Sequence, residues 1–293
     1  MKDSLVLHLN TEASKCIALN GAYRSKVQYD LRSYINFSAD ETIEYVTLSM
    51  PYAVITNSNY IVNEYNNVLN FTYAGSTSTT VIPEGNYTIA SFITQIQSTA
   101  IPTNYFVMTY SNTTNKITLT STPTYQSLFP GSTWGFAANC TCDYIFGFSG
   151  ITQTTGTAIT LPRSMNFLPC PRFIIHCNLL NNGLMLSNNS YVGSTDILAS
   201  IPNVAKLNSQ IIYENYSGEF LVKSLEATSI VISITDDNNN LINFNGISAY
   251  FVLRFNVFRH SIEKPLSFRK LTSYINQTAK NIPQSDEYII LDE

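Results

Sequence analysis

Residues 229–258 read SIVISITDDNNNLINFNGISAYFVLRFNVF, two strand-forming runs on either side of an Asx cluster. In the first run Ile230, Ile232 and Ile234 alternate with Val231, Ser233 and Thr235; in the second Phe251, Leu253, Phe255 and Val257 alternate with Val252, Arg254 and Asn256. A period of two puts alternate side chains on opposite faces, so each run is a strand with one face buried and the other partly wet. Asp236, Asp237, Asn238, Asn239 and Asn240 supply side chains that bond their own backbone and tolerate left-handed dihedrals, so the stretch is expected to form a hairpin. Nothing in it carries chemistry. It reads as scaffold.

The same texture extends outward. Strands are expected over residues 6–10, 17–19, 27–37, 44–55 and 60–73, the last with a turn or bulge at Asn66-Asn67, and over 173–180, 196–201, 209–214 and 220–227. Phe173, Ile175, Cys177 and Leu179 share one face, and a long loop is expected through 181–195. About eight strands joined by polar turns match two four-stranded sheets, an all-β antiparallel sandwich of the single jelly-roll kind.

Between residues 74 and 160 the composition turns Gly/Ser/Thr-rich. Ile82-Pro83-Glu84-Gly85 fits a turn, Asn86 or Thr88 is placed to cap, and Ile89, Phe92, Ile93 and Ile96 fall at helical spacing. This is the only clear helix expected before the C-terminus. A hairpin over 105–110 and 116–120 and an aromatic stretch from Trp134 to Phe148 complete a small α+β unit. The expected organisation is therefore jelly-roll over 1–73, an α+β insertion domain over 74–160, jelly-roll again over 161–262, and a C-terminal segment over 263–293. That segment combines a short helix around Leu271, Tyr274, Ile275 and Thr278 with an acidic-apolar tail ending Tyr288-Ile289-Ile290-Leu291-Asp292-Glu293. The four apolar residues of the tail want a partner surface, on their own domain or on a neighbour by strand addition.

Only 12% of the 293 residues are charged, about half the usual share, and bulk comes from 19 Tyr and 16 Phe. Neutral polar side chains cost little to desolvate, so such a surface suits packing against other proteins. A net charge of −4 without a Lys/Arg run argues against specific nucleic-acid binding. No apolar run approaches the roughly 20 residues of a membrane span, and the first residues do not form a secretory h-region. A soluble protein made in the cytosol is expected, with sequons such as Asn36, Asn70, Asn86 and Asn215 left bare.

Five cysteines, Cys16, Cys140, Cys142, Cys170 and Cys177, without an export signal favour reduced and mostly buried thiols. A zinc cluster from Cys140, Cys142, Cys170 and His176-Cys177 misses the usual ligand spacing, so no metal is expected. None of the histidines, His8, His176 and His260, is expected to have a Ser, Cys or Asp partner in a recognisable catalytic context, and His176 and Cys177, adjacent on a strand, point to opposite faces. The Asp236–Asn240 run lacks the Gly and Glu of a calcium loop. No phosphate loop, dinucleotide fingerprint or credible carboxylate pair occurs. No catalytic residue and no cofactor are expected. Trp134, Tyr144 and Phe148 offer either a sugar-stacking platform or the core of the inserted unit, with the core favoured.

Ile82-Pro83-Glu84-Gly85-Asn86-Tyr87-Thr88-Ile89, Thr114-Asn115-Lys116-Ile117-Thr118-Leu119 and Ile145-Phe146-Gly147-Phe148 follow one another in the insertion. Phe173-Ile174-Ile175-His176-Cys177, Asp196-Ile197-Leu198-Ala199-Ser200-Ile201-Pro202, Ile234-Thr235-Asp236-Asp237 and Ile242-Asn243-Phe244-Asn245-Gly246 continue the series. In this succession, which covers most of the chain after residue 60, the sequence resembles the mavirus-like penton (vertex) proteins of virophages and polinton-like viruses, single jelly-roll minor capsid proteins. The resemblance implies a homopentamer at a capsid five-fold vertex of the virion, assembled in the host cytoplasm and contacting trimers of a double jelly-roll major capsid protein. A second reading is a recognition module whose strand-end loops and inserted unit bind a host-surface glycan or receptor.

Overall fold

Ser229–Thr235 buries Ile230, Ile232 and Ile234, and Tyr250–Arg259 buries Phe251, Leu253, Phe255 and Val257, as the period of two requires. The two strands nevertheless do not pair with each other. In the computed structural model, which describes residues 2–12, 16–32, 40, 42–168, 170–180, 183–187 and 190–260, they belong to different sheets. The expected hairpin is thus a crossing between layers. Residues 236–249 separate the strands, well beyond the two to five residues of common hairpin loops, and both apolar faces are satisfied at once by facing each other.

Eight strands build the sandwich: β1 (Lys2–Asn10), β2 (Lys26–Asp30), β3 (Ile43–Thr56), β4 (Arg172–Cys177), β5 (Ile197–Pro202), β6 (Gln210–Glu214), β7 (Ser229–Thr235) and β8 (Tyr250–Arg259). One sheet runs β1-β8-β3-β6 and the other β5-β4-β7-β2, every pairing antiparallel. Short strands extend each to five: Phe220–Leu221 beside β3 and Cys16–Ala18 beside β2. This alternation of the chain between two sheets, first strand beside last and second beside seventh, is the jelly-roll topology. The inner faces share one buried cluster drawn from residues 9–55 and 170–257.

The topology gathers four connections at one end: β1 to β2, β3 to β4, β5 to β6 and β7 to β8. Backbone bonds tie them together, Thr11 N to Ala249 O at 3.0 Å, Asn57 N to Ser209 O at 2.9 Å and Asn203 N to Pro171 O at 2.8 Å. The β3–β4 connection holds the inserted unit, with its own buried cluster from Ile61 to Leu161. Val68–Tyr73, Ser76–Val81, Trp134–Phe136 and Thr152–Thr154 form one antiparallel sheet of this unit. Phe106–Ser111, Lys116–Ser121 and Ala158–Thr160 form the other. Within the expected 60–73 strand only Val68–Tyr73 is extended in this way, and its Leu69 and Phe71 lie in the second cluster.

Helix α1 (Ile89–Thr99) buries Phe92 and Ile96 and opens on a capping box in which Thr88 and Ser91 bond reciprocally. Two further short helices that the pattern did not announce follow, α2 (Pro123–Leu128), capped by Thr122 with Pro in its first turn, and α3 (Asp143–Phe146). One-turn helices hold too few residues for a hydrophobic period to emerge. The long loop expected over 181–195 contains an antiparallel pair, Gly183–Ser187 with Ser190–Thr195, with Asn188-Asn189 between them in sequence. Beyond Phe220–Leu221 the expected 220–227 strand stops, leaving β6 to cover the rest of that edge of β3. The C-terminal helix and tail, from residue 261 on, lie outside the described residues, as does Asn36.

Candidate functional site

The end of the sandwich that carries the insertion holds a shallow open cleft. Its walls come from three of the four connections: Tyr23 from β1–β2; Asn59, Tyr60, Glu64, Tyr65 and Glu84 from β3–β4; Asp236 and Asn240–Asn243 from β7–β8. Local hydrogen bonding shapes each wall. Asn63 Oδ1 accepts from Tyr65 N at 3.0 Å, and Asn66 Oδ1 accepts from Asn63 N at 2.7 Å, a turn that holds Glu64 and Tyr65 at the rim. Across the cleft Asp236 Oδ1 accepts from Asn238 N and Asn240 N, both at 2.8 Å. Ser58 Oγ donates to Phe244 O at 2.7 Å and stitches the two walls together below.

Electrostatically the cleft is negative. No Lys or Arg lines it, whereas Glu64, Glu84 and Asp236 do. A hydrogen bond with Glu64 pushes the Tyr23 phenol up to about 12, with burial and the charges of Glu64 and Glu84 adding to it. Burial, and after it Glu64, raises Tyr65 as well. Asn59 is 4% exposed, and its Oδ1 has no hydrogen-bond partner.

The residues singled out in the sequence do not assemble into a site. Cys140 and Cys142 pack with the inserted unit, while Cys170 and Cys177 belong to the sandwich core, so the imagined zinc set is divided between two clusters. Cys142 Sγ donates to Val68 O at 3.0 Å and Cys170 Sγ donates to Arg172 O. Among the described residues no group of three or more His, Cys, Asp or Glu is placed to hold a metal ion. His176 does have partners: Nδ1 meets Asp196 Oδ1 at 2.8 Å and Nε2 meets Thr235 Oγ1 at 2.9 Å. The order Thr–His–Asp is that of a hydrolytic triad, but Thr235 is buried at 3% exposure, so no substrate reaches its hydroxyl. The three side chains clip β4, β5 and β7 together.

Trp134 and Phe148 are enclosed in the second cluster, with Trp134 Nε1 donating to Gly156 O at 2.9 Å, and only Tyr144 is exposed. The stacking platform is therefore the core of the inserted unit. The Asp236–Asn240 run is a turn, with Asn239 at φ 64°. Asn70 is buried, donating to Ala138 O at 2.8 Å and accepting from Thr79 Oγ1 at 2.6 Å, and Asn86 Oδ1 accepts from Ile61 N at 3.0 Å. His8 bonds Tyr250, and His260 sits 3.8 Å from Glu44.

Similarity to solved structures is found. One of them is the crystal structure of selenomethionine-labelled mavirus penton protein, with a TM-score of 0.46 and 13% sequence identity over 87% of this chain and 100% of that one. No family model matches the sequence, and no curated protein matches it. No helix among the described residues is long and apolar enough to cross a membrane.

Sequence reasoning missed the cleft. Its lining comes from three connections far apart along the chain, each a turn whose local signal is conformational. Only the gathering of connections at one end of the sandwich brings them together.

Proposed function

We propose that this chain is a structural, non-catalytic capsid protein of the virion, forming a homopentameric penton at icosahedral five-fold vertices and contacting trimers of a double jelly-roll major capsid protein. The observation that carries this reading is the outward side of the β1-β8-β3-β6 sheet. Over residues 4–10, 45–56, 210–214 and 250–258 its outward positions include Val6, Tyr45, Tyr52, Ile212, Tyr250 and Phe258; Arg254 and Glu214 bear a full charge there, and the Glu219 carboxylate reaches the same side by accepting from Thr47 Oγ1 and Asn256 Nδ2. Tyr45 stacks on Phe258 at 4.4 Å between ring centroids, and Tyr52 meets Tyr250 edge-on at 6.4 Å. Such a face, aromatic and poor in charge, suits burial against protein, because few ions must be stripped of water.

A jelly roll presents different flanks on its two sides, so heterologous contacts repeated through a 72° rotation close a ring. Each contact is expected to bury at least about 1,000 Å². The inserted unit, on one end, is read as a separate domain projecting from that ring. The succession of motifs in which the sequence resembles pentons supports the same assignment. Native mass spectrometry of the protein at high concentration, with and without the major capsid protein, is expected to give pentamers or vertex incorporation. Absence of this chain from purified particles, by stoichiometry, ends the reading.

A second role, recognition of a host-surface glycan or receptor, is favoured by the exposed Tyr144 on the inserted unit. Binding by the assembled vertex on a glycan array, lost in Tyr144→Ala, is the expected sign; an array blank for both removes it.

A further inference from the structure

Cys140 and Cys142 flank a bend at Thr141, where the chain passes from the strand Trp134–Phe136 into α3. Both side chains meet the strand Val68–Tyr73. Asn70 N donates to Cys140 Sγ at 3.3 Å, Cys142 Sγ donates to Val68 O at 3.0 Å, and the Cys142 thiol also lies within hydrogen-bonding reach of Cys140. Thr141 fixes this arrangement from between them: its N donates to Val68 O at 3.0 Å and its Oγ1 accepts from Val68 N at 2.9 Å. Accessibility divides the pair, since Cys140 is half-buried and Cys142 fully buried. A hydrogen bond from Cys142, aided by Asn70 N, holds the Cys140 thiol below its ordinary value against its partial burial, whereas burial pushes Cys142 up. A reachable sulfur that favours its thiolate, beside a sheltered thiol, is the arrangement in which the first is oxidised and the second resolves it.

We propose that Cys140 and Cys142 are a redox pair that a hydroperoxide closes into an intramolecular disulfide. The Cys140 thiolate attacks one peroxide oxygen; an S–O bond forms, the O–O bond breaks, and the departing hydroxide takes a proton to become water. Cys142 Sγ then attacks the Cys140 sulfur of the sulfenic acid; the S–S bond forms, the S–O bond breaks, and the hydroxyl leaves as water with the Cys142 proton. Two thiols are oxidised by two electrons, and one peroxide is reduced to two waters. Reach does not prevent closure. Two residues of chain span at most about 7 Å, disulfides bridge Cα atoms about 4.4–6.8 Å apart, and the bend at Thr141 shortens the span. Cys142 needs no exposure of its own, because its partner is already beside it. The pair stays open in a reducing cytosol and closes in oxidising surroundings. The inference stands on the inserted unit alone and does not require the vertex assignment.

Treatment of the reduced full chain with a small excess of hydrogen peroxide, then denaturation, alkylation with N-ethylmaleimide and trypsin cleavage, tests it. The tryptic peptide 117–163 carries Cys140 and Cys142 and no other cysteine. Mass spectrometry is expected to show this peptide lighter by two hydrogen atoms and free of maleimide, with both labels restored after dithiothreitol. Cys16, half-buried and with its thiol raised by burial, is the comparison within the chain and is expected to keep its label. In Cys142→Ser, a near-isosteric change, Cys140 is expected to stop at a sulfenic acid that dimedone traps; in Cys140→Ser, Cys142 is expected to stay unoxidised. The proposal is overturned if native Cys140 reaches sulfenic or sulfinic acid while Cys142 still takes maleimide. Cys140-linked dimers in place of the ring, a peptide fully labelled at peroxide levels that oxidise Cys16, or a dimedone adduct on Cys142 in Cys140→Ser also overturn it.

Discussion

At the scale of single residues, environment sorts groups that the sequence leaves equivalent. Burial pushes Cys170 and Cys177 up to about 12 and Cys142 up as well, while a hydrogen bond from Cys142 lowers its half-buried neighbour Cys140. Because the thiolate is the reacting species, iodoacetamide on the native protein is expected to modify Cys140 first and Cys16 more slowly. Cys142, Cys170 and Cys177 are expected to react only after denaturation, as read by mass spectrometry of the peptides; native labelling of Cys177 contradicts this. Two glycines make a similar contrast. Gly131 has φ +68° and open space around a built Cβ, whereas Gly147, at φ +88°, has Arg163 O at 2.4 Å and Ser164 O at 2.7 Å from that position. Gly131→Ala is expected to cost about 1 kcal/mol of backbone strain alone. Gly147→Ala, which adds a steric clash, should cost roughly 3 kcal/mol, measured by urea denaturation. The burial of Cys177 was legible because Phe173, Ile175 and Leu179 share its parity. The tight contact at Gly147 was not, since it depends on the loop at Arg163-Ser164 folding back onto the end of α3.

Elements follow local rules closely and partner rules loosely. Of the two caps open in the sequence, Asn86 and Thr88, Thr88 closes α1 while Asn86 accepts from Ile61 N, and Thr88→Ala is expected to cost about 1 kcal/mol, seen in the unfolding of the inserted unit. Neighbouring strand ends of the first sheet, β1, β8 and β3, are pinned by an ionic knot that the sequence does not reveal. Arg259, at the end of β8, bonds Asp3 of β1 at 2.9 Å and also Asp40, ahead of β3. Hydrogen bonds from Thr42, then Arg259, hold the Asp40 carboxyl down from 3.8 to about 2. A depressed carboxylate stabilises the fold above its ordinary pKa and loses that contribution as pH falls from about 4 towards about 2. Asp30, held to about 2 by Arg32, acts with the same sign. The melting temperature of the native protein is therefore expected to decline across that window, and Asp40→Asn to decline less steeply; parallel curves would refute the assignment. The misread 229–258 hairpin belongs here too. Alternation establishes which side of a strand is apolar, but two apolar faces are buried equally well side by side or face to face.

For the whole molecule, the two buried clusters share no residue, so the inserted unit and the sandwich are expected to unfold as separate cooperative units. Calorimetry of the full chain should resolve two transitions, and replacing residues 58–168 by a short Gly/Ser linker should remove one and leave the β signal of the sandwich. A single transition that disappears on deletion would join the two into one core. The sequence by itself determined the strand texture and the buried parity of nearly every strand, and narrowed the cap of α1 to Asn86 or Thr88. These follow from bond geometry and from hydrophobicity read a few residues at a time. Tertiary structure alone decided which strands pair, that β7 and β8 lie in opposite layers, and that three distant turns enclose one acidic cleft. Pairing is a choice among chemically similar edges, and only the packing of all eight strands together selects it.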